Sequence, residues 1–250
     1  MKYAIIAAGE GSRLVEEGIK LPKPLVKLNG ISLIDRLIDI FIRNHAESVS
    51  IIVNNEMKEV QSHIISLQSN ISVPLNVVVK STPSSMHSFF ELSSFLQTGK
   101  FCLTTVDTIF NEDEFSAFIQ AFIADSEYDG MMAVTNYIDD EKPLYVEVNA
   151  NMDIKGFFDS SDGTLKYISG GIYCLSPKAI ITLNDCMENG YSRMRNYQRQ
   201  LIADGLNLKA FPFGKIIDVD HAEDIMKAEA FLLSTDETPA AWQPSIYSRG

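Results

Sequence analysis

The chain has 250 residues, of which 46% are hydrophobic and 22% are charged, so it is long enough for a sizeable core and ordinary in composition. A formal net charge of −12 argues against binding to nucleic acid or to an anionic membrane surface. No apolar run approaches the roughly 18 residues that cross a bilayer, and the first run is too short for a signal peptide. The 3 cysteines show no zinc-binding spacing, and we expect them to be reduced in a cytoplasmic protein.

The first thirty residues combine an apolar run, a glycine turn and a local excess of positive charge. Residues Tyr3 to Ala8 are continuously apolar, which is typical of a buried strand in a parallel sheet. The run ends at a turn that contains Gly9 and Gly11, and two cations follow at Arg13 and Lys23. A glycine turn at the carboxyl end of such a strand leaves backbone N–H groups free to bind phosphate. We therefore predict a pocket for a compact anionic ligand at this end of the sheet.

The spacing of these residues excludes two common nucleotide-binding loops. The P-loop pattern is absent, and Leu14 occupies the place of the third glycine in a dinucleotide-binding loop. What remains is G-x-G-x-R followed by P-K-P, within a stretch that runs from Ala7 to Leu25. This stretch resembles the nucleotide loop of the nucleotidyltransferase family, which includes sugar-1-phosphate nucleotidyltransferases and phosphocholine cytidylyltransferases.

The resemblance implies an α/β fold and a separate role for each of several residues in the loop. The fold would be a Rossmann-like, doubly wound mixed sheet of the nucleotide-diphospho-sugar transferase type. Within it, we assign Arg13 to the departing β- and γ-phosphates and Lys23 to the space between the α-phosphate and the acceptor phosphate. The candidate nucleotide-binding residues are Ala7, Ala8, Gly9, Gly11, Ser12, Arg13, Ser84 and Ser85.

Beyond the loop, hydrophobic periodicity predicts alternating strands and helices. Up to residue 136, the predicted strands after the first one span 48–53, 75–79, 101–106 and 129–136. The predicted helices span 31–42, 57–67, 86–96 and 112–123, and the first of them is capped by Asn29-Gly30 or by Ser32. This alternation is typical of a doubly wound sheet with right-handed crossovers.

After Tyr137 the pattern changes to short alternating strands at 145–148, 153–158 and 166–175, which predict a small antiparallel extension on the acceptor side. Ser176 and Pro177 are expected to open a helix, with the serine as its cap. The later predicted elements are a helix at 191–203, strands at 208–213 and 216–219, and a helix at 222–233. We expect a single domain over 1–235, with a nucleotide-binding part at about 1–136, an acceptor-side part at about 137–235, and a tail at 236–250. The acidic turn 139–141 and Trp242 in the tail are candidate surfaces for a homo-oligomer.

Aspartates follow two of the predicted strands at the edge where the glycine turn lies. Asp107 follows the strand at 101–106, while Asp218 and Asp220 belong to the segment K-I-I-D-V-D. Each alone is as well explained by a turn or a helix cap, but their joint placement with the glycine turn favours a site for Mg²⁺, which takes one or two carboxylates besides phosphates and waters. The resemblance implies the same ligands. Asp220 is favoured over Asp218 as the second ligand, and Asp224 is assigned to the N-terminal charge of the last helix.

The acceptor is left open by a departure from the family pattern. Sugar-specific members often carry a Glu-Lys pair after the middle antiparallel strand, whereas this chain has Phe157-Phe158-Asp159-Ser160. Both a sugar 1-phosphate and a phosphocholine-like molecule are therefore candidate acceptors. Gly171, in a segment that resembles the family's G-I-Y strand, and Glu147 are the candidate acceptor-binding residues.

The sequence predicts an Mg²⁺-dependent nucleotidyltransferase that uses a nucleoside triphosphate and a phosphorylated small molecule, in a pathway such as polysaccharide biosynthesis. The alternative is a catalytically silent protein that binds a nucleotide or sugar phosphate on the same fold and acts as a regulator. Two departures from the family pattern motivate this alternative: Ser84-Ser85-Met86 stands where the family usually has G-T-A, and Asp159 lies where sugar-specific members often have the Glu-Lys pair. The cations and the aspartate pair argue against it. The base and the acceptor are not determined by the sequence.

Overall fold

The computed structural model describes residues 1–139 and 141–235 as a mixed α/β fold. The predicted acidic turn includes position 140, and Trp242 belongs to the C-terminal tail, so both proposals for self-association fall at least partly outside the described residues. Within the described residues, no helix is both long and apolar enough to cross a bilayer.

A 9-stranded mixed sheet forms the centre of the protein. Its path runs β10-β9-β11-β6-β1-β4-β5, and β8 pairs with β11 and with β12. The strands of this sheet are β1 (Lys2–Ala7), β4 (Ser48–Val53), β5 (Leu75–Val79), β6 (Phe101–Thr105), β8 (Gly130–Thr135), β9 (Tyr145–Val148), β10 (Ile154–Phe158), β11 (Tyr167–Leu175) and β12 (Leu208–Phe213). Two small sheets pair β2 (Lys27–Leu28) with β3 (Ile31–Ser32) and β7 (Thr108–Phe110) with β13 (Ile216–Asp218).

The order and direction of these strands confirm the predicted architecture. β1 lies between β4 and β6 and is parallel to both, and β5 adds to β4 in the same direction. β11 is antiparallel to β6, β8 and β9, and β10 is antiparallel to β9. The sheet therefore combines a parallel half with an antiparallel extension.

Helices cover both faces of the sheet, which explains why β1 is continuously apolar. Tyr3, Ile5 and Ala7 pack into one hydrophobic core, and the alternate residues Ala4 and Ile6 pack into the other. The first core includes α2 (Leu33–Arg43), α3 (Lys58–Gln68), α5 (Glu112–Ala124) and α8 (Ala222–Ser234). The second includes α4 (Ser85–Leu92), α6 (Lys178–Glu188) and α7 (Met194–Ala203). The short α1 (Ser12–Glu16) adds Leu14 to the first core.

Some local expectations need correction. The helix predicted from residue 31 begins at Leu33, because Ile31 and Ser32 form a hairpin with Lys27–Leu28. Of the two proposed caps, Ser32 is the one observed, and its side chain accepts a hydrogen bond from the Asp35 amide. The expectation for α6 is wrong by one position: Pro177 precedes the helix directly, and the buried Ser176 hydroxyl has no partner among the described residues.

The turn after β1 depends on the conformation of Gly11. Its φ angle is +64°, in the left-handed region that residues with a side chain seldom adopt. A Cβ atom at Gly11 would lie 3.0 Å from Cβ of Lys23, whereas a Cβ atom at Gly9 would meet nothing within 4 Å. The turn therefore brings the backbone of Gly11 against the carbon chain of Lys23.

This geometry predicts different costs for two similar substitutions. We expect Gly11→Ala to lower the free energy of unfolding by about 1–2 kcal/mol, because alanine is strained in the left-handed region and crowds Lys23. Gly9→Ala is the matched control and should change stability by less than about 0.5 kcal/mol. Urea unfolding curves of both variants test this expectation, and equal costs would contradict the role given to Gly11.

A contact between His63 and Asp35 joins α3 to α2. His63 Nε2 lies 2.7 Å from Asp35 Oδ1, and this hydrogen bond, opposed by burial, raises the pKa of His63. The contact therefore stabilises the fold fully below the ordinary pKa of 6.5 and is lost as the pH rises through the raised pKa.

We therefore expect the difference in unfolding free energy between wild type and His63→Gln to shrink as the pH rises from about 6 to about 9. Urea unfolding at a series of pH values measures this difference in free energy. The difference in unfolding free energy between the wild type and Asp35→Asn should shrink over the same pH range. If neither variant shows a difference that varies with pH, the ion pair is contradicted.

Candidate active site

The glycine turn and Asp107 meet at the carboxyl ends of two neighbouring parallel strands. Ile6 in β1 is in register with Thr105 in β6, and the Val106 amide donates to the Ile6 carbonyl at 3.0 Å. The chain after β1 and the chain after β6 therefore leave the sheet side by side. This edge is where open α/β sheets bind their ligands.

The small sheet of β7 and β13 brings the late aspartates to the same place. Thr108 in β7 is in register with Asp218 in β13, and the Val219 amide donates to the Asp107 carbonyl at 3.1 Å. Residues more than one hundred positions apart are thereby held next to each other. The sequence predicted a strand at 216–219 but not its partner β7.

Lys23 joins the two groups of residues through ion pairs. Its Nζ contacts Oδ2 of Asp107 and lies 2.6 Å from Oδ1 of Asp220, while its side chain is only 10% exposed. The guanidinium of Arg13 binds the other oxygen of Asp220 at 3.1 Å, from a position that is 51% exposed. The predicted cations and the predicted metal ligands therefore form one cluster.

The pKa values in this cluster reflect burial and nearby charge. Burial alone lowers the pKa of Lys23, but Asp107 and Asp220 outweigh it, and the net shift is upward. Burial followed by the charge of Asp107 raises the pKa of Asp218 to about 7, against a hydrogen bond from Thr108 that lowers it. Part of Asp218 faces solvent in the adjoining cavity, yet the protein surrounds the carboxyl closely enough for burial to dominate. The site therefore holds an ammonium group firmly in its charged form.

Two cavities meet at this cluster. The smaller, of about 380 Å³, is lined by the glycine turn, Lys23, Ser85 and Asp107. The larger, of about 580 Å³, lies between the antiparallel extension and the start of α8. Arg13 and Asp220 line both cavities. The arrangement can hold two ligands whose reactive groups meet beside Lys23, Arg13 and the aspartates.

Charge is distributed unevenly around the larger cavity. Its carboxylates are Glu17, Asp139, Glu141, Asp218, Asp220, Glu223 and Asp224, and its cationic or titratable nitrogen groups are Arg13, His221 and Lys227. Lys227 pairs with Asp139 at 3.2 Å and with Glu223 at 3.0 Å. Several of the carboxylates are therefore already neutralised by protein groups.

Glu17 is a residue of the site that the sequence did not reveal. Its carboxylate accepts a hydrogen bond from the Ala222 amide and pairs with the His221 ring, each at 2.6 Å. It thereby ties the end of α1 to the start of α8, next to Asp220. No spacing could have signalled this contact, because the partners lie about 200 residues apart in the chain.

The predicted nucleotide-binding residues lie mostly around the smaller cavity. The cavity lining includes Ala7, Gly9, Gly11, Ser12, Arg13 and Ser85. Ala8 and Ser84 are not part of that lining: the Ala8 carbonyl accepts from the Asn54 side chain at 3.2 Å, and the Ser84 hydroxyl pairs with His87 at 2.9 Å. These two residues therefore face neighbouring protein groups.

The predicted acceptor-binding residues, Gly171 and Glu147, line neither of the two cavities. Gly170 lines the larger cavity, while its neighbour Gly171 has a φ of +74° and lies near the Thr108 hydroxyl. Glu147 is exposed on β9 and lines neither cavity. Asp224, assigned to the N-terminal charge of the last helix, accepts hydrogen bonds from the amides of Asp220 and His221, as expected for that role.

The donor set suits a cation that also needs ligands from a substrate. Among residues 1–139 and 141–235, no group of three or more His, Cys, Asp or Glu side chains is arranged to hold a metal ion. Asp107 and Asp220 nevertheless converge on one positive charge, the Lys23 ammonium. Mg²⁺ commonly takes one or two carboxylates and completes its shell with phosphates and waters, so the residues present fit it.

Comparison with known proteins supports the fold. No curated protein matches this chain in sequence. The structure of the inositol-1-phosphate CTP transferase from T. maritima superimposes with a TM-score of 0.77 at 19% identity, over 95% of this chain and 96% of that one. A Bacillus anthracis protein, provisionally named a glucose-1-phosphate thymidylyltransferase and solved with a sucrose, gives a TM-score of 0.81 at 17% identity, over 94% and 96% of the two chains. At these identities the two structures show a shared fold.

The family is shown by the sequence itself. The profile of the nucleotidyl transferase family matches residues 2–235, which is nearly the whole described chain and includes the glycine turn, Lys23 and all three aspartates. This protein is therefore a nucleotidyltransferase and belongs to the nucleotidyl transferase family.

Proposed function

We propose that the protein transfers a nucleoside monophosphate from a nucleoside triphosphate to a phosphorylated small molecule, with Mg²⁺ as cofactor and pyrophosphate as the leaving group. The observation that carries this proposal is the cluster of Lys23, Arg13, Asp107 and Asp220 at the junction of two cavities. The smaller cavity suits a triphosphate against the glycine turn, and the larger one has room for the acceptor.

The reaction is an in-line displacement at the α-phosphorus of the nucleotide. An oxygen of the acceptor phosphate forms the new bond, and the bond from the α-phosphorus to the oxygen that bridges to the β-phosphate breaks. The acceptor phosphate is already ionised at neutral pH, so no general base is needed. Catalysis then consists of positioning and of neutralising negative charge.

The residues of the cluster supply both functions. The backbone of Gly9 and Gly11 would bind the triphosphate, and the half-exposed Arg13 would contact the departing β- and γ-phosphates. Lys23, largely buried in the lining of the smaller cavity, would neutralise the α-phosphate as the acceptor approaches. Asp107 and Asp220, with Asp218 as the alternative, would hold Mg²⁺, which supplies further neutralisation of the phosphates when bound.

The acceptor is proposed from the chemistry of the larger cavity. The names of the two similar structures refer to inositol 1-phosphate and glucose 1-phosphate, so a cyclic polyol or sugar phosphate is one candidate. The carboxylates around the cavity would also suit a phosphorylated amine such as phosphocholine. The assignment of Gly171 and Glu147 to acceptor binding stays a prediction. We further propose, on the strength of the site alone, that residues 1–136 serve the nucleotide and residues 137–235 the acceptor.

Loss of the Lys23 charge should impair turnover without unfolding the protein. We expect Lys23→Ala to reduce the rate by roughly two to three orders of magnitude, the scale of one group that stabilises charge in the transition state. The matched control is Lys20→Ala, which removes an exposed lysine from the same segment and should retain the wild-type rate. Near-normal turnover of Lys23→Ala would remove Lys23 from the mechanism.

The substrates are identified by pyrophosphate release in the presence of Mg²⁺. CTP, UTP, GTP, ATP and dTTP are each tested against sugar 1-phosphates, inositol 1-phosphate and phosphocholine. We expect release only when one nucleotide and one acceptor are both present, and none after Mg²⁺ is removed with EDTA. Nucleotide binding without release across the panel would favour the regulatory alternative.

A further inference from the structure

The ammonium of Lys23 occupies the space between the two carboxylates that are proposed to bind the metal. Nζ contacts Asp107 and lies 2.6 Å from Asp220, so one positive charge already bridges both residues. Asp218 is in register with Thr108, the residue that follows Asp107, and it precedes Asp220 by two positions. Three carboxylates therefore share this corner of the site with one buried cation.

The position of Lys23 is fixed by packing as well as by charge. Its carbon chain lies against Gly11, where a Cβ atom would come within 3.0 Å of the Lys23 Cβ. Lys23 also lies between Pro22 and Pro24, whose rings fix the φ angle on either side of it. The backbone therefore helps to direct the ammonium at the aspartates.

The other cation of the site cannot take over this role. Arg13 binds Asp220 at 3.1 Å and is 51% exposed, and its second carboxylate contact among the described residues is Glu141 at 3.9 Å. Neither contact bridges Asp107 to Asp220. Without Lys23, no cation would bridge the two carboxylates, and they would repel each other.

We propose that Lys23 is an internal counter-ion of Asp107 and Asp220 and competes with a divalent cation for these two carboxylates. In this scheme, which rests on the proposed function, the triphosphate offers Lys23 a new anionic partner. Lys23 then leaves the aspartates as the metal and nucleotide arrive together. The site would bind metal weakly until a nucleotide is present.

A substitution of Lys23 that impairs catalysis should therefore strengthen metal binding. The test is titration of Mn²⁺ into the protein without nucleotide, followed by the electron paramagnetic resonance signal of free Mn²⁺. We expect Lys23→Met, which keeps most of the carbon chain, to bind Mn²⁺ at least about tenfold more tightly than the wild type, because a buried cation no longer competes. Lys20→Met, the same change at an exposed lysine, should bind like the wild type.

A second measurement guards against misfolding of the variant. Lys23→Met should have a lower unfolding midpoint than the wild type in metal-free buffer, and Mn²⁺ should raise that midpoint more in the variant than in the wild type. Lys23→Arg keeps a positive charge and should retain weak Mn²⁺ binding.

Equal Mn²⁺ affinity in the wild type and Lys23→Met, or weaker binding in the variant, would overturn the counter-ion role and leave the proposed reaction intact. Absence of Mn²⁺ binding to both proteins would also overturn it. Failure of the proposed function would appear separately, as the absence of pyrophosphate release across the substrate panel. Tighter binding by Lys23→Met would then still establish the competition as a property of this chain.

Discussion

Like charges held close together are the constraint on which the active site depends. The pairing of β7 with β13 places Asp218 and Asp220 beside Asp107, and such carboxylates repel unless a cation lies among them. Lys23 supplies that cation from the opposite end of the chain. One ammonium group therefore connects the glycine turn, the end of β6 and the segment before α8.

The sheet provides the rigidity that this arrangement needs. β1 lies between β4 and β6 with helices on both faces, so the turn at its carboxyl end is anchored in two hydrophobic cores. Glu17 adds a contact between the short α1 and the start of α8. The two cations are positioned by the chain segment that follows β1, whose neighbouring residues are anchored in the core. The aspartates are positioned by strand pairing and by the start of α8.

The two sides of the site differ in chemical character, which fits a transfer between unlike substrates. The smaller cavity is lined by the glycine turn and by cations. The larger cavity is lined by carboxylates from the end of α1, the loop after β8 and the segment 218–224, together with Tyr137 and Ser169. Differences in acceptor among related enzymes would then arise in the extension and not in the glycine turn. The fold alone leaves that choice open.

The sequence by itself determined the order of the longer strands and helices, the two-sided burial of β1 and the glycine turn, because these follow from local periodicity and spacing. It also identified Asp107 and Asp220 as partners, through their places after predicted strands. It did not reveal the short elements α1, β2, β3 and β7. Only the tertiary structure decided that β7 pairs with β13, that Glu17 meets α8, and that Glu147 lies away from both cavities. Such contacts join residues far apart in the chain, and they depend on how the elements pack in three dimensions, which no local pattern records.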